Sequence, residues 1–425
     1  MREPSGLSWA TWAGRGLFAI SDQAFFAGAN FCLNVLLARW LTPTAYGAFA
    51  TVYAAFLLVV TGHHALIVEP MMVFGAGRYS KSFHPYARKL LWLHLLLGVP
   101  VVAVGLMLLG LFDLSLLGPL SGAALGIAMA APFILMTTAL RRSLFVRLRP
   151  IWPAVGSAVY AGALLSLTFW LRYARGLSPL AGFLAMGVAA AAAAPILWAA
   201  LNHDDPPVTR VAPVDEIARE HWRYGRWSLA AVLPVWLSGN VFYVLLPLQR
   251  GLEEAGVFRA LVNLTMPMVH VFMALSMVLL PAMVRARGKG GATALRPVVA
   301  RVAGLFVAGA GVYLAAVVLF GDRIILLLYG GQYSPPGREM LWVLGLAPVA
   351  SGIVSAIATA LRALERPDLV MVGHSVAASV AVVSGVILIG EMGSDGGLLA
   401  LLTATASGAV GMLGAYGFAR RGGLS

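Results

Sequence analysis

Apolar residues run along this chain in blocks of about twenty, separated by short polar stretches and never settling into period-two alternation. A block of that length crosses the ~30 Å hydrocarbon core of a bilayer as a helix. A lipid-facing strand would instead alternate apolar and polar residues. The pattern predicts spans near 16–39, 44–69, 90–111, 116–140, 152–171, 179–201, 222–248, 256–283, 298–320, 340–361, 369–390 and 397–419. Within the first of these, "SDQAFFAGAN" at 21–30 places Asp22, Gln23 and Asn30 among apolar neighbours. An acid at the centre of a spanning helix costs about 2.5–3.5 kcal/mol. A partner, water or a function must offset that cost.

Composition agrees with the pattern. Hydrophobic residues make up 60% of the 425 and charged residues only 11%, against roughly 25% charged in soluble domains. The expected class is an all-α polytopic membrane protein of about twelve spans. An even count puts both termini on one side. Of the 30 Lys and Arg, all but Arg39, Arg172, Arg175, Arg250, Arg259, Arg323 and Arg338 then fall on the side of the termini. That asymmetry, alternating loop by loop, predicts both termini inside. It also accounts for the net charge of +13 as an orientation signal rather than a nucleic-acid surface.

The longest polar connection, 202–221, is Pro-rich, mixed in charge and reads as a linker. Across it the chain resembles itself. Arg15 falls on Arg226, Gly28-Ala29-Asn30 on Ser238-Gly239-Asn240, "AYGAF" at 45–49 near "AGVFR" at 255–259, and "EPMMV" at 69–73 on "LPAMV" at 280–284. The near-constant offset predicts a six-span unit used twice, an N-lobe over 1–201 and a C-lobe over 222–425. Two such units entering from the same side are related by an axis along the membrane normal. They enclose a central cavity of the kind used for alternating access.

Several polar residues sit where such a cavity would be. Gln23, Asn30 and Asn34 share one stripe of a helix, and Asn30 and Asn240 are repeat-equivalent. Asn263, Pro267 and His270 share a face of the eighth span, and Pro267 with Pro234 predicts bend points in the second half. Each asparagine, and His270, reads either as an interhelical hydrogen-bonding group, the reading favoured for Asn34 and His270, or as a cavity wall. Asp22, Glu69, His63 and His64 are the titratable groups of the first half, suited to coupling with H+ or Na+. Asp22 also lies near enough to the interface to pair with Arg15, and Glu69 reads as a helix-end residue before Pro70. Arg15 and Arg226 lie at the inner mouth, either as phosphate-binding guanidinia or as ordinary interfacial arginines.

Other chemistry has no signature. The single cysteine, Cys32, permits no internal disulfide. There is no Walker A sequence, no metal-binding Cys/His pattern and no cofactor motif. The N-terminus "MREPSGLSWATWAGRG" lacks the form of a cleaved signal. External loops are short; only 321–339 has any length, and part of it is apolar, which argues against a membrane-embedded glycan polymerase or ligase. No catalytic residues are expected.

"LLARWLTPTAYGAF" (36–49), "EPMMVFG" (69–75), "LLPLQRGLEEAGVFRALVNLTMP" (245–267), "LLYGGQY" (327–333) and "ALRALERPD" (360–368) resemble polysaccharide and O-antigen flippases. These belong to the multidrug/oligosaccharidyl-lipid/polysaccharide exporter superfamily, and the resemblance covers roughly 15–370. It implies two six-helix lobes facing each other in a V. It implies movement of an undecaprenyl-diphosphate-linked saccharide from the cytoplasmic to the periplasmic leaflet of a bacterial inner membrane, coupled to an ion or proton gradient. The implied partners are membrane lipids, the lipid-linked saccharide and glycan polymerases or glycosyltransferases. Arg15, Arg226, Asn30, Asn240, Asn263 and His270 would contact the diphosphate or glycan. The chain departs from its lipid-flipping relatives in placing its basic residues near helix ends rather than deep in the cavity. A small-molecule or drug:cation antiporter of the same superfamily is the alternative, and Asp22 keeps it open.

Overall fold

A computed structural model describes residues 9–111, 118–202 and 212–421. Among the described residues every regular element is a helix. In chain order these are α1 (Trp9–Trp40), α2 (Pro43–His63), a π turn (His64–Val68) leading into α3 (Glu69–Ala76), α4 (Phe83–Leu111), α5 (Pro119–Val146), α6 (Ile151–Tyr173) and α7 (Pro179–Asn202). Then come α8 (Val214–Asn240), α9 (Phe242–Gln249), α10 (Leu252–Val262), a 3-10 turn (Asn263–Thr265), α11 (Met266–Tyr329), α12 (Arg338–Ala363) and α13 (Pro367–Arg421). Pro43, Pro119, Pro179 and Pro367 open their helices, where a missing N–H and a fixed φ carry no penalty. Gly330, left-handed at φ 61°, closes α11.

The two longest helices are hairpins. In α13 the chain reverses at Gly393 (φ 60°). Gly373 then lies against Met412 and Gly408 against Ala377, as antiparallel legs require. In α11 the reversal is at Gly291 (φ 62°). It stacks Phe272 on Phe306 with ring centroids 4.9 Å apart. Nine stretches are long and apolar enough to cross a membrane, and the α8–α9 pair, bent by 53°, makes a tenth. Adding α1, whose apolar run is interrupted by Asp22, Gln23 and Asn30, and counting both legs of α13 gives the twelve crossings the pattern predicts among the described residues.

Helices run past their expected boundaries at several places, among them 83–89 and 214–221, the latter within the expected linker. Residues 284–297 and 321–329, expected as loops, are helical apart from the reversal at Gly291. Arg285, Arg287, Lys289 and Arg296 mark that stretch as polar. Their long stems let the charges reach water while the helix continues, and Ala, Leu and Arg favour helix. The bend in the seventh span falls at 240–242, not at Pro234, which lies inside α8.

The chain forms two compact units, one of residues up to Leu33 with Ala55–Ala230, the other of Asn34–Ala54 with Ala231 onward. The first packs Met71, Phe83, Tyr86, Met136, Leu140 and Leu197 in its core. There α5 and α7 approach so closely that a Cβ at Gly126 would lie 2.8 Å from the Leu180 carbonyl oxygen, and one at Gly187 would lie 2.9 Å from Ala130. The second centres on Phe272, Phe306, Ile357, Leu361 and Met412. Small residues that admit close backbone approach are how helices associate where lipid removes the hydrophobic drive. Residues 34–54 thus pack with the second half of the chain, and 214–230 with the first.

Candidate functional site

The polar residues of the opening span are paired. Asp22, 3% exposed, accepts from Arg141 Nε at 2.9 Å and Nη2 at 2.7 Å, and from the Ser157 hydroxyl at 2.6 Å. The Arg141 guanidinium lies 4.1 Å from the Phe26 ring centre. One turn on, Asn30 Oδ1 accepts from the Tyr160 hydroxyl at 3.1 Å, and its Nδ2 donates to the Phe26 carbonyl at 2.7 Å. This seam joins α1 to α5 and α6. The partner of Asp22 is therefore Arg141, whose fork matches a carboxylate; the Arg15 side chain lies outside the described residues.

His63, His64 and Glu69 cluster at the π turn. That turn takes carbonyls out of α-helical register. His221 of α8 meets one of them, its Nδ1 bonding the Leu66 carbonyl at 3.0 Å while its Nε2 meets the Tyr86 hydroxyl at 2.6 Å. Both contacts are satisfied when Nδ1 carries the proton and Tyr86 donates to Nε2. Gly225, one turn further, lets α8 touch the Ala65 carbonyl; a Cβ there would lie 2.7 Å from it. The Tyr224 hydroxyl reaches Glu69 Oε1 at 3.4 Å. The His63 ring lies edge-on to His94 at 5.4 Å, and its Nε2 is buried with no hydrogen-bond partner among the described residues. Arg226 is exposed, its guanidinium 5.3 Å from the Trp227 ring.

In the second unit α2 and α10 cross backbone to backbone. A Cβ at Gly47 would fall 1.7 Å from the Leu252 carbonyl oxygen, and one at Gly256 would fall 2.1 Å from that of Pro43. No side chain fits between the helices. A polar network surrounds the crossing. Asn34 Oδ1 accepts from Arg259 Nε and Nη2 at 3.3 and 3.2 Å, and from the Tyr46 hydroxyl at 3.4 Å. Asn263 Nδ2 donates to Tyr46 at 2.9 Å, and Arg259 Nη1 to the Tyr243 hydroxyl at 3.2 Å. Arg39 Nη1 donates to the Leu327 carbonyl at 2.9 Å, Gln332 Nε2 to that of Leu41 at 3.1 Å, and Trp236 Nε1 to that of Ala54 at 2.7 Å. All but the Trp236 bond lie at helix ends that the charge asymmetry assigns to the outer side.

Asn34 and Asn263 are thus brought together, as neither stripe alone foretold. Asn240 and His270 are not. Each bonds the turn before it, Asn240 Nδ2 to the Trp236 carbonyl at 3.2 Å and His270 Nδ1 to that of Met266 at 2.8 Å. Arg259, which the sequence put at the outer end of the eighth span, is only 8% exposed. Arg141, Gly47 and Gly256 were not singled out. The sequence repeat set the two glycines in near register, which was the one available hint.

No family model matches the sequence, and no curated protein does. Solved structures do. One is the inward-facing conformation of a multidrug resistance MATE family transporter of the MOP superfamily. It is 14% identical, with a TM-score of 0.77 over 96% of this chain and 98% of that one. The fold is the one this transporter has. An outward-facing conformation of a multidrug resistance MATE family transporter is also 14% identical, with a TM-score of 0.67 over 96% of this chain and 94% of that one. A MOP superfamily transporter from Pyrococcus furiosus, described as having a binding pocket of reverse polarity, is 13% identical with a TM-score of 0.66 over the same shares.

Proposed function

We propose that the protein is a multi-pass exporter of a bacterial inner membrane that works by alternating access, here closed on its outer side. One observation carries the reading. The outer ends of the first two spans, 34–54, pack with the second half of the chain through the glycine crossing and the Arg259 network, a contact that must part for cargo to leave outward. The higher TM-score to the inward-facing structure, 0.77 against 0.67, supports the same state.

The cargo is an amphiphile. Its polar head cannot cross about 30 Å of hydrocarbon unaided. A wet, polar-lined path for the head, with the tail left in lipid, is sufficient and needs no covalent step. Two cargoes fit. The solved neighbours, described as multidrug resistance transporters, support a small molecule exchanged for a cation. The sequence resemblance supports a diphosphate-linked saccharide, and the bidentate engagement of Asp22 by Arg141 favours it, because that acid is already committed to a partner. Coupling to H+ or Na+ then falls to His63, whose Nε2 is unpartnered, and to Glu69.

The test uses Ala255, fully buried at the crossing. In a Cys32→Ser background, Ala255→Cys is expected to resist a membrane-impermeant maleimide from outside at rest, and to react once cargo and an ion gradient are supplied. Transport that proceeds with this cysteine never labelled would refute the outer closure.

A further inference from the structure

Arg141 and Arg259 are both buried, but they are compensated differently. Arg141 meets a carboxylate with two N–H groups. Arg259 meets neutral groups, Asn34 Oδ1 and the Tyr243 and Tyr46 hydroxyls, with the rings of Tyr53 and Tyr243 5.6 and 5.5 Å from its guanidinium carbon. A guanidinium carries five N–H donors. Those three bonds and one to the Tyr46 hydroxyl leave the charge without an anionic acceptor among the described residues. A tie between α1 and α10 does not itself require a charge; a glutamine amide would serve. A permanent charge held by neutral oxygens is a poor use of a buried site, whereas a phosphate or carboxylate offers the same fork charged acceptors and stronger bonds.

We infer that Arg259 receives the anionic group of the cargo, so that the exporter selects amphiphiles bearing a phosphate or carboxylate over organic cations. This rests on the exporter reading above. The anion displaces Asn34 Oδ1 and the Tyr243 hydroxyl from the guanidinium. That exchange removes the tie between α1 and α10, so capture of cargo and parting of the outer crossing become one event. The anion favours opening because it binds the state in which Arg259 has left Asn34. A polyprenyl diphosphate and a simple alkyl phosphate present the same chemistry.

The experiment places the full-length protein in proteoliposomes with three fluorescent probes: a polyprenyl-diphosphate disaccharide, an alkyl phosphate and ethidium. Wild type is expected to move at least one anionic probe and to disfavour ethidium. Movement of the polyprenyl probe alone identifies a lipid-linked cargo; movement of both anions identifies a broader anionic amphiphile. Arg259→Gln is expected to slow anion movement by roughly tenfold or more, about the loss of one charge-assisted bond. Arg259→Lys, which keeps charge without the fork, falls between. Tyr243→Phe keeps the ring and frees one N–H, so it should lower the anion concentration that exposes Ala255→Cys. It also supplies the test if Arg259→Gln does not fold. Wild-type anion rates in folded Arg259→Gln, or an unmoved threshold in Tyr243→Phe, overturn the assignment. Movement of ethidium alone overturns it and leaves the exporter reading standing, whereas movement of no probe overturns both.

Discussion

Asp22 shows how much one residue can announce. Its position in an apolar run says that something offsets its charge, and the sequence supplied Arg15 as the nearby cation. The actual partner, Arg141, lies 119 residues away, and no local periodicity points to it. With side chains only 7% and 5% exposed, the pair cannot be broken cheaply. Asp22→Asn leaves a buried guanidinium without its anion, and the expected loss is about 3–5 kcal/mol, read as a lowered unfolding temperature in detergent. Asp22→Leu combined with Arg141→Met should recover most of it. If Asp22→Asn unfolds like wild type, the pair is not structural, and Asp22 returns as a coupling acid. The burial of Arg259 was hidden for a related reason. Charge near a predicted loop reads as solvated, and only tertiary packing buries it.

At the scale of elements, helices and their number were legible because twenty-residue apolar blocks admit few other structures in lipid. Helix ends were not legible, since basic side chains reach water from within a continuing helix. Close crossings were not legible either. Gly47 and Gly256 differ from the other glycines of the chain only in what lies opposite them, 209 positions away. Their consequence is testable. Gly47→Ala or Gly256→Ala inserts a methyl where a carbonyl already stands, and overpacking of that kind costs about 1–3 kcal/mol. The penalty falls on the crossed state alone. Outer labelling of Ala255→Cys should therefore rise at rest and export should fall, with expression unchanged. Labelling that stays at the wild-type level would show that the crossing does not control access.

At the scale of the molecule, the asymmetric placement of Lys and Arg predicts orientation, and the near-constant repeat offset predicts duplication. The contact units did not follow from them. Which half residues 34–54 pack against depends on contacts between segments some 210 residues apart, such as Asn34 with Arg259, and on the state the molecule occupies. Orientation has its own check. Ser80→Cys, in the exposed turn before α4, should react with an impermeant maleimide only from the inner side. Gly176→Cys, exposed beyond α6, should react only from the outer side. The reverse result would invert every assignment of inside and outside, including that of the glycine crossing.

The π turn at His64–Val68 bears on what alterations this chain tolerates. It winds one more residue into a turn than an α-helix does. Deleting a single residue there would restore ordinary winding and leave everything after it facing much as before, because the turn takes up its extra residue within itself. Met71 would keep its place in the core, whereas the Leu66 carbonyl would be drawn back into the helix and away from His221. The packing after this stretch would therefore absorb the loss of one codon, while the contact with His221 would not, so the extra residue serves that contact rather than the core.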